Sequence, residues 1–344
     1  MKFFNTPSFA ARFMGMLEGM GLTSTRTDSA DGRLDAGEVA YVLKALEYVF
    51  TETYDKEYPE LLAITLLPVN TRVPSGAESY SYYQWDKTGT AMFITNYATD
   101  FPAAEVNLKR FNAPIHGIGN SYQYTIQDIR AAQAVQFGQG ASLDTMKAEA
   151  ARFVHAVFVD QVAAFGDSAR GIKGFVNHSD IPDVTPISGA WTTTLATISD
   201  ANNFAIVNDL NKLVNAAEQA TLGLHKPDTL ILPLSVKTRV MAPTSSFDRA
   251  PLLKTWLANQ ENIKSVFFWA KCDAANSGGK LTAGVARAIA YKRNPRILEY
   301  VLPQPFEQFP PQQIGLAFKV PCHSRTGGVS IRYPLACQRM NVGT

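Results

Sequence analysis

From Ser142 to Phe165 the apolar residues Leu143, Met146, Ala150, Phe153, Val154, Val157, Phe158, Val162 and Phe165 recur at intervals of three and four. That period predicts a single amphipathic helix, and Gly166 supplies its stop. At 1.5 Å per residue the stretch makes a rod of roughly 33 Å, longer than the common globular helix. Any fold this chain adopts has to be organised along that rod.

The segments on either side differ in kind. Residues 1–34 are rich in Gly, Thr and Ser, with a short helical stretch at Phe9–Leu17, and read as an extended arm. A helix is predicted from Asp35, with Glu38 three residues on and Val39, Val42, Leu43, Leu46 and Val49 at helical spacing. From Thr71 to Tyr124 the pattern turns to strands. Ser79–Trp85 alternates and is aromatic, Asp86-Lys87-Thr88-Gly89 reads as a turn, and Thr90–Thr95 reads as the returning strand of a projecting β-hairpin. Thr125-x-x-Asp128 is a capping box opening a helix through Ile126, Arg130, Ala134 and Phe137, which Gly138-Gln139-Gly140 interrupts.

Beyond the long helix, Asp200–Leu224 is a second amphipathic helix carrying Phe204, Val207, Leu210, Val214 and Ala217 on its apolar side. Thr229–Leu234 and Ser265–Ala270 are short buried strands with helices from Ser235 and around Leu252–Leu257 between them, so an α/β unit is expected over about 190–290. After Gly278-Gly279 the chain reads as strands: Arg287–Tyr291 and Ile297–Val301 about an Asn294-Pro295 turn, then Ile314–Val320 and Val329–Ile331.

Composition narrows the class. Charged residues are 18% of the 344, below the roughly 25% of ordinary soluble domains, whereas aromatics reach 11%. This excludes a disordered or strongly acidic protein, and it fits a chain whose surface meets other copies of itself. The net charge of +2 is unevenly spread. Lys280–Thr344 holds nine Lys/Arg against two Asp/Glu, a net of +7, which leaves −5 for the rest. Such a basic terminal third signals either polyanion contact or arginines that pair within the fold. No run of about 18 apolar residues predicts a membrane span, and Met1–Asn5 opens no secretory signal. Cys272, Cys322 and Cys337 are odd in number and never in Cys-x-x-Cys spacing, as expected of a reducing interior.

The search for catalytic, cofactor and metal sites finds none. Gly166-Asp167-Ser168 resembles the nucleophile block of a lipase/esterase family. A serine hydrolase, however, needs a strand before the serine and an oriented histidine. Here a helix precedes Ser168, and Arg170 stands where Gly-x-Ser-x-Gly requires its last glycine. Gly117-Ile118-Gly119 has Tyr122 in place of the third glycine, and Ser277-Gly278-Gly279-Lys280 is followed by Leu281 rather than Ser or Thr. Thr27–Glu38 approaches a calcium loop, with Ser29, Asp31, Gly32, Asp35 and Glu38 in register, but Thr27 sits where the first Asp belongs. His116, His155, His178, His225 and His323 share no ligand spacing, and His155 falls beside the apolar stripe as a core or interface residue. Asn177-His178-Ser179 is a glycosylation sequon without a secretory route.

The order of elements (arm, short helix, two-stranded excursion, long helix, α/β unit, returning strands) resembles the major capsid proteins of tailed phages with the Hong Kong 97-type fold. Local strings sharpen the resemblance to a phage and prophage branch: Tyr83-x-Trp85-Asp86-x-x-Gly89-x-Ala91 and Asp100-x-Pro102 in the excursion; Gly166-Asp167 and Gly171-Ile172-x-Gly174-Phe175-x-Asn177-His178 after the long helix; Tyr291-x-x-Asn294-Pro295, Gly327-Gly328-Val329 and Tyr333-Pro334 near the end.

The resemblance implies an α+β fold. It comprises an N-terminal arm (1–34), a helix and connection of the peripheral domain (35–70), an extended β-hairpin loop (71–122), a spine helix and peripheral domain (123–189), an axial α/β domain (190–290) and returning peripheral strands (291–344). It implies a non-enzymatic protein without cofactor, assembling as pentamers and hexamers into an icosahedral head around dsDNA, with non-specific phosphate contact and no membrane. Such a protein is made in the host cytoplasm and ends in the virion capsid. Portal, decoration or cement proteins and a separate scaffolding protein are the expected partners. Some relatives cross-link a loop lysine to a neighbour's Asn, and Lys87 and Lys109 stand in the corresponding loop with no partner fixed. The alternatives are an encapsulin-like nanocompartment shell of the same fold and a serine esterase using Ser168.

Overall fold

The computed structural model describes residues 58–94, 101–134, 143–187, 189–245 and 249–343. The expected arm, the helix from Asp35, the Thr27–Glu38 loop and the Gly138-Gln139-Gly140 interruption lie outside them.

The long helix spans Leu143–Phe165. Its C-terminal half is buried along Val159, Val162, Ala163 and Phe165. The carbonyls of Ala163 and Ala164, left over at its end, accept the amides of Phe175 and Val176 at 2.9 and 2.8 Å. Gly166 adopts φ +66°, and a Cβ there would overlap the Ile172 carbonyl oxygen. A Cβ on Gly174 would overlap the backbone of Phe165 and Gly166. The chain therefore doubles back on the helix terminus with glycine on both sides of the approach.

A five-stranded sheet lies beside this helix, in the order Asp183–Val184, Cys337–Asn341, Arg287–Tyr291, Thr229–Pro233, Ser265–Trp269. Thr229–Pro233 and Ser265–Trp269 run parallel, joined by the helices Lys237–Val240 and Leu252–Ala258. The next two strands are antiparallel additions. Side chains alternate between its faces. Leu230, Leu232, Ala288 and Ala290 pack with the helix Asp200–Ala220 and with Trp256. Ile231, Ile289 and Tyr291 face the end of the long helix and Tyr300.

The helix Asp200–Ala220 opens where expected, with Ser199 Oγ accepting the Asn202 amide at 3.2 Å, but its buried stripe is rotated from the predicted one. Ile206, Leu210, Leu213, Val214 and Ala217 are buried, whereas Phe204 is exposed. Two polar residues share the buried side, which is what displaces the pattern. Asp209 accepts the Ile187 amide at 2.6 Å and the Trp191 indole at 2.9 Å. Asn203 donates to the carbonyls of Pro243 and Thr244. The helix also stops short of Leu224: Leu222 takes φ +50° and stands 96% exposed.

The N-terminal half of the long helix lies on a second sheet, in which Ala317–Thr326 pairs with Gln304–Gln308 and Gln312–Ile314 on one side and with His116–Thr125 on the other. The stretch expected as one strand, Ile314–Val320, is broken by Gly315 at φ +61° into a tight hairpin. Thr125 and Asp128 form the predicted capping box reciprocally, at 3.0 and 3.1 Å, ahead of the helix Ile126–Ala134.

Candidate assembly surfaces

The excursion is a two-stranded ribbon, Ser79–Thr88 against Glu105–Pro114, joined to no other strand among the described residues. The first strand runs straight through Asp86-Lys87-Thr88, so the predicted turn and return at Thr90–Thr95 are corrected. The partner strand is Glu105–Pro114, and Thr90–Ile94 belongs to the connection. The Val106-x-Leu108 alternation was the signal for this strand.

Cross-strand partners share a face, so the register Tyr83↔Arg110, Trp85↔Leu108, Lys87↔Val106 assembles one side of the ribbon. Tyr83, Trp85, Val106 and Leu108 are all more than half exposed there, Trp85 at 68%. The opposite side is anchored at its root. Tyr82 stacks on Phe111 at 5.1 Å between ring centroids, Arg332 lies over the Tyr82 ring, and the Tyr82 hydroxyl donates to the Ile331 carbonyl at 3.4 Å. Burial raises the pKa of Tyr80 beside it to about 12. Toward the tip the anchored side becomes polar, with Gln84, Asp86, Asn107 and Glu105. Lys109 leans over Phe111 at 5.1 Å, and Lys87 stands opposite Val106. A lone two-stranded ribbon is marginal in water, and one with an aromatic outer face is shaped to be covered.

A second uncovered row follows the long helix. Met146, Ala150, Val154 and Phe158 are four residues apart and all exposed, while Ala151, His155 and Val159 face inward. The sequence stripe was wide because it serves two faces. His155 is a core residue, as expected: its Nε2 meets Ser324 Oγ at 2.6 Å, Phe306 packs on its ring, and burial, then His323, holds its pKa low.

The motifs that resemble catalytic ones have structural roles. Ser168 starts a 3₁₀ turn that Asp167 caps by accepting the Ala169 amide at 3.0 Å, and Arg170 pairs with Asp167. The nearby His116 engages the Arg170 carbonyl at 3.1 Å rather than the serine hydroxyl. Gly117 and Gly119 lie within the strand His116–Thr125, and Ser277–Lys280 is a turn whose Ser277 Oγ donates to the Ala274 carbonyl at 2.8 Å. Among the described residues no cluster of three or more His, Cys, Asp or Glu is placed to hold a metal, and no helix is long and apolar enough to cross a membrane. The three cysteines are free and buried, with burial raising the thiols, that of Cys337 to about 12.

The basic terminal third resolves largely into internal pairing. Arg332 pairs with Glu299, and Arg339 with Asp183 and the His178 carbonyl. Arg287, Arg293 and Arg325 donate to the carbonyls of Val176, Leu66 and Ser75. The side chains of Lys280, Lys292, Arg296 and Lys319 form no ion pair or hydrogen bond among the described residues, and Lys292 and Arg296 stand together around an open cleft with His225 and Tyr333.

A body built along one long helix, with a projecting ribbon that exposes its aromatic face, has the architecture of a shell subunit, and the family profile for major capsid proteins matches residues 89–341. The chain belongs to the major capsid protein family. The capsid of Myoviridae Phage XM1 is similar over 90% of this chain and 99% of its own, with 15% identity and a TM-score of 0.72. A structure from Mycobacterium phage Bobi covers 90% and 99% at 13% identity and 0.57. The capsid of an empty GTA particle covers 92% and 100% at 13% identity and 0.54. No curated protein matches the sequence. The fold of this capsid protein is the Hong Kong 97-type α+β fold. As a capsid protein it is a structural subunit of phage-like icosahedral heads rather than an enzyme, and it works as a homo-oligomer.

Proposed function

We propose that this capsid protein closes its shell by laying the outer face of the ribbon, Tyr83, Trp85, Val106 and Leu108, on a neighbouring subunit, in pentamers and hexamers that enclose dsDNA. The observation that carries the proposal is the exposure of these four side chains on one face of a ribbon with no sheet of its own. Aromatic anchors of this kind dominate subunit interfaces. The body around the five-stranded sheet is the axial domain, with residues 190–290 as its continuous part. The long helix with the strands from Leu298 to Ile331 is the peripheral domain; of the stretch 291–344 expected there, Cys337–Asn341 joins the five-stranded sheet instead.

Lys292 and Arg296, which share one open cleft of the terminal third, are the candidates for contact with DNA phosphates, without base readout. Assembly proceeds in the host cytoplasm and ends in the virion head, with portal, scaffolding and decoration proteins as further partners. Sedimentation of the purified protein tests the ribbon's role. The wild type runs as large particles, and Trp85→Ser with Leu108→Ser runs as small, folded species. Large particles from the double variant would refute it.

A further inference from the structure

The strand His116–Thr125 has one open edge. Among the described residues it pairs only with Ala317–Thr326, and the amide of Ile126 donates to the Leu316 carbonyl at 3.1 Å, continuing that ladder. Inward and outward backbone groups alternate in an antiparallel pair. The even-numbered residues of the strand therefore bond to Ala317–Thr326, and Gly117, Gly119, Ser121 and Gln123 direct their amides and carbonyls away from it. Lys147 closes one end of the edge by donating to the Gln123 carbonyl at 3.0 Å. Gly117, Gly119 and Ser121 are exposed, and their outward groups have no partner among the described residues.

This edge forms one wall of a groove of about 370 Å³, and the exposed Val154 and Phe158 of the long helix form the other. Two buried polar atoms that lack a partner among the described residues belong to residues lining the groove, His155 Nδ1 and Asn120 Oδ1. His155 is 97% buried, at 3% exposure. An unpaired strand edge is a template for another strand.

We propose that the edge Gly117–Ser121 is completed by a strand of a second copy's ribbon, added by backbone hydrogen bonding in the assembled shell. This rests on the assembly reading above. The ribbon fits as occupant because its own ladder fixes the complementary edges. The Ile115 amide donates to the Glu78 carbonyl at 2.8 Å, so Tyr83, Trp85 and Lys87 on one strand, and Val106, Leu108 and Arg110 on the other, point their backbone groups outward. Those residues also carry the face that needs covering, and the groove brings an apolar helix row to meet it.

Gly119→Pro tests the edge, because it deletes one outward amide and leaves the ladder to Ala317–Thr326 intact. A Cβ at this position meets only the Cys322 carbonyl, at 3.6 Å. The variant is expected to keep the wild-type unfolding midpoint as a free subunit and to lose about tenfold or more in particle yield, since the lost bond recurs at every subunit contact. Gly119→Ala, which keeps the amide, assembles like the wild type.

Amide hydrogen exchange of the wild type reads the same edge without a substitution. Gly117, Gly119 and Ser121 exchange slowly in particles and fast in free subunits. Equal exchange in both states, or wild-type particle yield from a folded Gly119→Pro, overturns the proposal. The occupant is identified by Gly119→Cys combined with a cysteine walked along 83–87 and 106–110. An inter-subunit disulfide at one register supports the ribbon, and particles that form with no such disulfide overturn it. A wild-type chain that forms no particles overturns the assembly reading and this proposal together.

Discussion

Asp160, in the C-terminal half of the long helix, accepts the backbone amide of Ala63 at 2.8 Å, across 97 residues of sequence. Its second oxygen pairs with Lys271, which follows the edge strand of the five-stranded sheet. One buried carboxylate thus fastens the start of the described chain, the helix and the sheet to each other. Asp160→Ala would leave both the amide and the ammonium without a partner, at a cost of about 3–5 kcal/mol. Urea unfolding of the free subunit checks this, and a loss below about 1 kcal/mol would mean that the three segments hold without it.

His178 makes the subunit acid-sensitive. Burial holds its pKa down at about 4; Asp180 opposes the shift, and Lys173 and Arg339 add to it. Its Nδ1 accepts the Asp180 amide at 3.2 Å, a role open only to the neutral ring. With a folded pKa below the unfolded 6.5, the unfolded state binds the proton first. The stabilisation is complete above about pH 6.5 and lost as pH falls toward 4, by roughly 3 kcal/mol in all. His178→Asn keeps an acceptor without a titration, so its unfolding midpoint should fall less than the wild type's between pH 7 and pH 4.5. Equal slopes would show that other groups carry the effect.

The doubled-back chain at the end of the long helix leaves no room for a side chain. Gly174→Ala drives a Cβ into the backbone of Phe165 and Gly166. We expect a loss of about 3 kcal/mol or more, seen as a lower denaturation midpoint or insoluble expression. Gly119→Ala serves as the internal control, because its Cβ meets open space apart from one ordinary contact.

The long helix, the capping box and the buried strands were legible in the sequence because each rests on local periodicity or local hydrogen bonding. The ribbon's second strand was not. Asp86-Lys87-Thr88-Gly89 has turn chemistry, yet the register Asp86↔Asn107 and Thr88↔Glu105 keeps it extended; that pairing is a non-local choice. Phe204 was placed inside because Asn203 and Asp209, although polar, occupy the buried side through hydrogen bonds with distant loops. The sequence left the arginines of the terminal third open between polyanion contact and internal pairing, because their carbonyl and carboxylate partners lie far away in the chain. The low charge content pointed to self-association from the outset, and the uncovered aromatic ribbon face and the Met146–Phe158 row give that association specific surfaces.

Electron microscopy of the purified full-length protein tests the central claim most directly. The account predicts closed polyhedral particles of many subunits. A uniform small oligomer that never closes into a shell would contradict it.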